Sequence, residues 1–169
     1  MIELEKTYLA KYLPENLEKF PSKEIIDIYI PANVEHPKVR IRKNGDKYEM
    51  TKKQPVGDNY SIQREQTIDL TEQEWNWLSK LKGKEIVKRR YEYQHQGRKA
   101  EIDVFEKKLT GLVVVDFEFE KEEELKTFKM PDFCLADLSQ AKWMAGGMLA
   151  GKSYKGIESE LQGFGYKKL

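Results

Sequence analysis

Strict alternation of charged and apolar side chains is the feature that most constrains the fold of this chain. In the first predicted strand, Ile2 to Leu9, Glu3 and Glu5 share one face, while Leu4 and Tyr8 share the other, because successive side chains of an extended chain point to opposite sides. Two stacked carboxylates repel each other, so that face requires water, basic partners or a cation. An ordinary solvated face would explain one such strand, but most later predicted strands repeat the pattern.

These later strands carry charges of both signs on their polar faces. The cations are Arg40, Arg42, Lys53, Lys88 and Arg90, and the anions besides Glu3 and Glu5 are Glu65, Glu101, Asp103, Asp116 and Glu118. Short turns join most of these strands, and the clearest is the hairpin signal Asn44-Gly45. The pattern predicts an α+β fold with roughly eight strands in one mainly antiparallel sheet.

A few helices are expected outside the sheet. The residues Thr71 to Glu74 form a capping-box sequence, which predicts a helix from there to about Leu81. Further helices are predicted at 14–20, at 122–129 and around 143–149. A loop is predicted at 54–59, because this segment contains Pro55 and Gly57.

The alternation predicts two-faced strands, but it does not distinguish an open sheet from a closed one. In an open sheet the charged rows would face water as weak surface pairs, each contributing about 0–1 kcal/mol. In a closed sheet they would line the interior, where an unpaired charge costs several kcal/mol. In the interior, lining charges of opposite sign would partly neutralise each other. The charges left unneutralised would suit a polyanion bound by Arg and Lys, together with a divalent metal bound by carboxylates.

Composition limits the classes of partner. Lys and Arg number 30 against 29 Asp and Glu among 169 residues, so the formal charge is +1, whereas nucleic-acid and membrane-surface binders usually carry a clear basic excess. The lone cysteine, Cys134, excludes an intrachain disulfide. No signal-peptide or membrane-spanning stretch is evident. We therefore expect one domain over 1–169 in the cytoplasm, as a monomer or homodimer.

Several other residues invite a functional interpretation that the sequence does not favour. His36 and His95 lie in loop or turn contexts without a neighbouring nucleophile, which predicts surface residues. Cys134 is expected to pack as a small hydrophobic residue. Gly146-Gly147 lacks a following Lys-Ser/Thr and is therefore no phosphate loop, so helix packing is the better explanation.

The ordered strand motifs resemble the CYTH superfamily, also called the triphosphate tunnel metalloenzymes. Glu3-Leu4-Glu5-Lys6-Thr7 is similar to the opening E-x-E-x-K of that superfamily, and Arg40-Ile41-Arg42 is similar to its R-x-R strand. The segments Thr51 to Lys53, Lys88 to Tyr91, Glu101 to Phe105 and Gly111 to Glu118 resemble its later motifs. Together they extend over almost the whole chain.

The resemblance implies an eight-stranded antiparallel barrel with helices packed outside, whose tunnel binds a triphosphate. Phosphate oxygens would be bound by Arg40, Arg42, Lys53, Lys88 and Arg90. One or two Mg²⁺ or Mn²⁺ ions would be held by Glu3, Glu5, Glu65, Asp116 and Glu118, and Glu101 and Asp103 would line the tunnel. The residues expected to take part in catalysis are Glu3, Glu5, Lys53, Lys88 and Arg90.

One departure from the motif keeps alternatives open. Thr7 occupies the position of the opening lysine of the superfamily, and Lys6 lies one step early, on the opposite face. The leading hypothesis is a metal-dependent hydrolase of inorganic triphosphate or a small organic triphosphate. The alternatives are an adenylate cyclase like those of class IV and a non-catalytic polyphosphate or nucleotide binder. An RNA-binding module, suggested by the basic and aromatic residues of Lys88 to Tyr93, is disfavoured by the near-neutral charge.

Overall fold

The computed structural model describes residues 2–169, and eight of the strands in this range form a closed antiparallel ring. The strands are β1 (Ile2–Ala10), β2 (Ser22–Ile30), β3 (Val39–Asn44), β4 (Lys47–Val56), β5 (Asn59–Leu70), β6 (Lys84–His95), β7 (Arg98–Phe105), β8 (Val113–Phe119) and β9 (Cys134–Asp137). Around the ring the order is β1, β5, β4, β3, β2, β6, β7 and β8. The predicted α+β barrel is confirmed.

Strand β1 closes the ring. One of its edges pairs with β8 from Leu4 to Leu9. Its other edge is shared, because Ile2–Leu4 pairs with β5 whereas Tyr8–Ala10 pairs with β9. Among the described residues, three pairs between β1 and β5 therefore complete the barrel, and β9 extends the sheet beside them. The sequence analysis did not predict β9.

The outer face of β1, β7 and β8 is apolar and covered. Leu4, Tyr8, Ile102, Val115 and Phe117 belong to one buried cluster. Residues from after β8 pack on this cluster, including Leu125, Phe133 and Cys134. Alternation thus places the apolar residues of these strands outside the ring and their charged residues inside it.

A second buried cluster closes one end of the barrel. We call residues 138–149, which follow β9, the plug. Leu138, Met144 and Leu149 of the plug pack with Tyr29, Ile86 and Phe105, which lie near the ends of β2, β6 and β7 at this side. This end of the ring is therefore filled by an apolar core.

The helices are short, and they lie outside the ring except for the one that belongs to the plug. They are α1 (Glu72–Leu78), α2 (Glu122–Thr127), α3 (Gly146–Leu149) and α4 (Glu158–Gly163), with 3₁₀ turns at Leu17–Lys19, Lys107–Leu109, Lys142–Met144 and Tyr154–Ile157. Both capping-box bonds between Thr71 and Glu74 are present. None of the helices within residues 2–169 combines the length and the apolar character needed to cross a membrane.

Several predicted boundaries differ from the structure for local reasons. Helix α1 ends at Leu78, three residues before the predicted end at about Leu81. Asn16 takes a left-handed backbone conformation, so the helix predicted at 14–20 is reduced to one 3₁₀ turn. The loop predicted at 54–59 is a tight hairpin turn at Gly57, whose φ of +61° suits glycine. Ala145 has ψ of 133°, which divides the helix predicted around 143–149.

Candidate functional site

The ring encloses a cavity of about 290 Å³, which we call the tunnel. It is lined by all twelve residues that the sequence analysis selected: Glu3, Glu5, Arg40, Arg42, Lys53, Glu65, Lys88, Arg90, Glu101, Asp103, Asp116 and Glu118. The alternation therefore brings residues from seven strands to one cavity. Glu118 is exposed, and together with Glu101 it also borders a second cavity beside the β6–β7 hairpin, so these two residues lie toward the open mouth.

Arg42 is held by a buried acid that the sequence analysis did not select. Its Nε and Nη2 donate to the two carboxylate oxygens of Asp27 at 2.6 and 2.8 Å. Burial by itself would raise the pKa of Asp27, but the Arg42 guanidinium outweighs burial and lowers it well below its usual range. The available signal was that Asp27 and Tyr29 share a face of β2, although the four isoleucines of that strand obscured it.

Lys88 and Arg90 of β6 converge on Asp103 of β7. Arg90 donates from Nε and Nη2 to Asp103, each at 2.7 Å, and also contacts Glu101. Lys88 donates to the same Asp103 carboxylate. Burial by itself would raise the pKa of Asp103, but Arg90 and Lys88 outweigh burial and lower it. Burial also lowers the pKa of Lys88, since Asp103 only partly offsets it and Arg90 and Arg42 add to it. The positive and negative charges of this cluster therefore largely neutralise each other.

Lys53 of β4 joins the two acids of the first strand across the ring closure. Its Nζ lies 2.6 Å from Glu3 and 3.0 Å from Glu5. Burial by itself would lower the pKa of Lys53, but these two carboxylates outweigh burial and raise it above its usual range. Burial still raises the pKa of Glu3 in spite of Lys53. Glu65 lies near this group, accepts a bond from Thr67 at 2.8 Å and has a lowered pKa.

Thr7 faces the tunnel, as the alternation predicts. Its hydroxyl donates to Asp116 at 2.7 Å, whereas Lys6 points away and lies 3.7 Å from Asp137 of β9. The only register shift between β1 and β9 is at Leu9/Ala10, so no bulge turns Lys6 inward. Burial, followed by repulsion from Glu5 and Asp103, raises the pKa of Asp116 to about 7.

Arg40 of β3 and Lys38, which lies just before β3, are the last two cations of this row. Arg40 is near the Tyr29 hydroxyl, and its Nε has no hydrogen-bond partner among the described residues. Lys38 continues the alternation one step before Arg40, and its Nζ lies 3.1 Å from Nδ1 of His36. Contrary to the surface position predicted for it, His36 is half-buried and lines the tunnel. The lysine could have been predicted, because it shares the face of Arg40 and Arg42.

The carboxylates suit a hard divalent cation in their chemistry. Glu5 lies close enough to Asp116 to raise the pKa of Asp116, and the Cα atoms of Glu5 and Glu118 are opposite in the β1–β8 ladder. Burial is the main reason that the pKa of Asp116 is raised, and the nearby acids Glu5 and Asp103 add to it. Within residues 2–169 no three His, Cys, Asp or Glu side chains form a ready-made metal cage. The oxygen donors fit Mg²⁺ or Mn²⁺, and Lys53 is their present counter-ion.

The chain is similar to known proteins both in sequence and in structure. No family model matches the chain. A Nitrosomonas europaea protein named inorganic triphosphatase is 29% identical over 147 residues, which span 84% of this chain and 92% of that protein. The crystal structure of an inorganic triphosphatase has a TM-score of 0.65 at 22% identity, with 89% of this chain and 95% of that chain covered.

A structure of a putative adenylate cyclase from Bacillus halodurans is also similar. Its TM-score is 0.54 at 15% identity, and 99% of this chain and 91% of that chain are covered. At such identities the structural similarities show the fold alone, whereas the Nitrosomonas relative also matches in sequence. The closed eight-stranded tunnel of this chain is thus the fold that these structures share, and over most of its length the chain is similar in sequence to the Nitrosomonas inorganic triphosphatase.

Proposed function

We propose that this protein hydrolyses inorganic triphosphate, or a small organic triphosphate, bound inside the tunnel with a divalent metal ion. The main supporting observation is that five cationic side chains from three strands, β3, β4 and β6, line one cavity together with carboxylates. The name of the Nitrosomonas relative, inorganic triphosphatase, supports the same reaction. Phosphoryl transfer depends mainly on positioning and on neutralising charge, and a tunnel of this kind can provide both.

The cations would act by binding phosphate oxygens along the tunnel. Arg42 and Arg90 are fixed by two-pronged contacts to Asp27 and Asp103, so their guanidinium groups have little freedom before substrate arrives. Such preorganisation lowers the entropic cost of binding. Lys53, Lys88 and Arg40 would add charge at neighbouring positions. The Nε of Arg40 has no hydrogen-bond partner among residues 2–169, so this donor could bind a phosphate oxygen.

The metal would be Mg²⁺ or Mn²⁺, held by Glu3, Glu5, Glu65, Asp116 and Glu118. When bound, it would neutralise phosphate charge and lower the pKa of a coordinated water. Three of these residues already have partners in the structure, since Lys53 contacts Glu3 and Glu5 and Thr7 contacts Asp116. Glu101 would remain an ion-pair partner of Arg90 and orient it.

Phosphate release from tripolyphosphate with Mg²⁺ or Mn²⁺ tests the proposal. We expect turnover by the wild type and a loss of at least about 100-fold in Glu5→Gln, because that change removes a carboxylate charge from the tunnel. Glu15→Gln, at an exposed position outside the tunnel, is the matched control and should keep full activity. A folded wild type that is inactive on tripolyphosphate and on organic triphosphates with both metals would refute the hydrolase.

A non-catalytic binder of polyphosphate or nucleotide is the second candidate, and Thr7 is the observation that favours it. A hydroxyl bonded to Asp116 replaces a cation at this position of the tunnel. Tight triphosphate binding without any product would support this function. The same incubations with ATP, followed by mass spectrometry for cyclic AMP, would identify a cyclase.

A further inference from the structure

Strand β5 has an open backbone edge. Its pairing with β4 continues to Leu70, but on its other side the residue pairs with β1 end at Arg64, opposite Ile2. Among residues 2–169, no strand lies beside Gln66–Leu70 on that side. The side chains of 66–69 are exposed. The backbone N–H and C=O groups that point to this side are therefore accessible to water or to a strand from another molecule.

Within residues 66–70 this edge lacks the features that usually prevent an open edge from pairing. In many proteins a proline, a lysine or a β-bulge blocks the approach of a further strand. The stretch Gln66–Leu70 contains neither proline nor lysine, and its one charged residue is Asp69. The register shift between β4 and β5 lies at Pro55/Val56, at the far end of that pair of strands. The edge is therefore able to accept a further strand.

Large apolar side chains are exposed around the same edge. Among residues 2–169 the four most exposed are Trp77, Ile68, Ile2 and Leu81, with exposed fractions of 66%, 60%, 53% and 50%. Ile68 lies on the edge itself, and Ile2 lies opposite Arg64, where the pairing with β1 ends. Trp77 is on α1, which packs against β3, β4 and β5. Such a concentration of exposed apolar side chains is typical of an interface between proteins.

A second copy of the chain matches this edge in one register. Two identical strands related by a twofold axis pair antiparallel, with residues of the same face opposite each other. When Ile68 is opposite Ile68 of the second copy, the stretch Gln66–Leu70 pairs along its whole length with itself, and Thr67 lies opposite Asp69. Moving the centre by one residue places either Glu65 opposite Asp69 or Asp69 opposite itself. Like charges directly opposite each other destabilise a sheet, so the register centred on Ile68 is favoured.

We propose that two copies of this protein form a homodimer by pairing their β5 edges antiparallel, with Ile68 at the twofold axis. The dimer continues the sheet of one barrel into the other and buries Ile68 at its centre. Three residue pairs join β5 to β1 among the described residues, so a partner strand on the rest of the edge also supports β5 where the barrel closes. The dimer forms whether or not the tunnel hydrolyses a triphosphate.

Cysteine cross-linking tests the interface and its register together. Ile68→Cys places two thiols directly opposite each other, with a Cα separation of about 4.5–5.5 Å that a disulfide can span. Mild oxidation should therefore link most of this variant into a covalent dimer. Gln66→Cys, on the same face of the strand, is the matched control, because its two copies lie about 13 Å apart along the ladder and should stay unlinked. The native Cys134 is buried, so the wild type should not cross-link.

Light scattering after size exclusion tests the dimer without an added cysteine. At about 50 µM the wild type should have twice the mass of the 19.9 kDa chain, whereas Ile68→Lys should be monomeric because it sets two like charges opposite each other. Met130→Lys, at an exposed position after α2, should stay dimeric, and thermal melts should show that all variants are folded. The proposal is wrong if the wild type is monomeric at about 100 µM, if Ile68→Lys stays dimeric, or if Gln66→Cys cross-links as readily as Ile68→Cys.

Discussion

Asp116 is a residue whose ionisation the tunnel alters within a pH range that solution measurements can follow. Burial, with Glu5 and Asp103, raises its pKa from 3.8 to about 7. Between pH 4 and 7 the folded protein therefore keeps a proton that the unfolded chain has lost. Because the folded state binds more protons in this range, the free energy of unfolding falls as the pH rises. We expect Asp116→Asn to reduce that fall by on the order of 1–3 kcal/mol.

Urea unfolding of chelator-treated protein at pH 4.5, 6 and 7.5 would measure this effect. The asparagine can still accept the Thr7 hydroxyl bond, so the variant removes the ionisation and keeps the contact. Asp58→Asn, in the exposed β4–β5 turn, is the matched control and should leave the pH profile as in the wild type. An unchanged slope in Asp116→Asn would show that the folded tunnel does not hold that proton.

At the same scale, strand periodicity was sufficient to predict which charged residues face inward. It correctly oriented Thr7 inward and Lys6 outward, since a strand without a bulge leaves only two directions. It did not identify Asp27, because a lone acid among four isoleucines resembles an ordinary buried strand. It also assigned His36 to the surface, because the packing of the plug against the loop before β3 depends on contacts that sequence spacing does not encode.

The plug depends on close backbone contact with the loop before β3. Gly147 lies against the backbone oxygen of Pro37, which cannot rotate away as a flexible side chain could. We therefore expect Gly147→Ala to displace the plug and to lower the free energy of unfolding by about 1–3 kcal/mol, in the range of overpacking in a core. Urea unfolding would measure the loss, and tryptophan fluorescence would report displacement through Trp143.

Gly163→Ala, in helix α4, is the control for this substitution. A Cβ there would meet no atom within 4 Å, so the same change should be neutral or slightly stabilising. Equal stability of Gly147→Ala and the wild type would mean that the plug does not pack as tightly as the structure shows.

At the scale of elements, regular alternation was predicted well and irregular chain was not. The eight barrel strands alternate polar and apolar residues over long stretches, so their existence could be predicted from the sequence. Strand β9 has four residues, and it forms because β5 leaves the second half of β1 unpaired on that edge. The residues Cys134–Asp137 themselves give no indication that this edge of β1 is unpaired. Closure of the ring was likewise supported by the family resemblance and not by the alternation itself.

For the whole molecule, the decisive quantity is the charge balance of the tunnel, which differs from that of the chain. The chain is nearly neutral, but the tunnel lining has nine carboxylates, namely Glu3, Glu5, Asp27, Glu49, Glu65, Glu101, Asp103, Asp116 and Glu118. Its lysine and arginine cations are six: Lys38, Arg40, Arg42, Lys53, Lys88 and Arg90. Most of these cations are already paired with acids. A polyanion entering alone would therefore meet a lining that has more carboxylates than lysine and arginine cations.

This imbalance predicts that metal and triphosphate stabilise the protein together more than the sum of their separate effects. Each ligand neutralises charge that opposes the other, so their binding should be positively coupled. Thermal melts with tripolyphosphate alone, Mg²⁺ alone and both at equal ionic strength should give a Tm increase for the pair that exceeds the two single increases combined by about 3 °C or more. Ca²⁺ and spermidine are informative substitutes for Mg²⁺, because spermidine carries positive charge but cannot be coordinated by carboxylates. If spermidine reproduced the whole Mg²⁺ effect, the acids of the tunnel would be balancing charge without holding a metal ion.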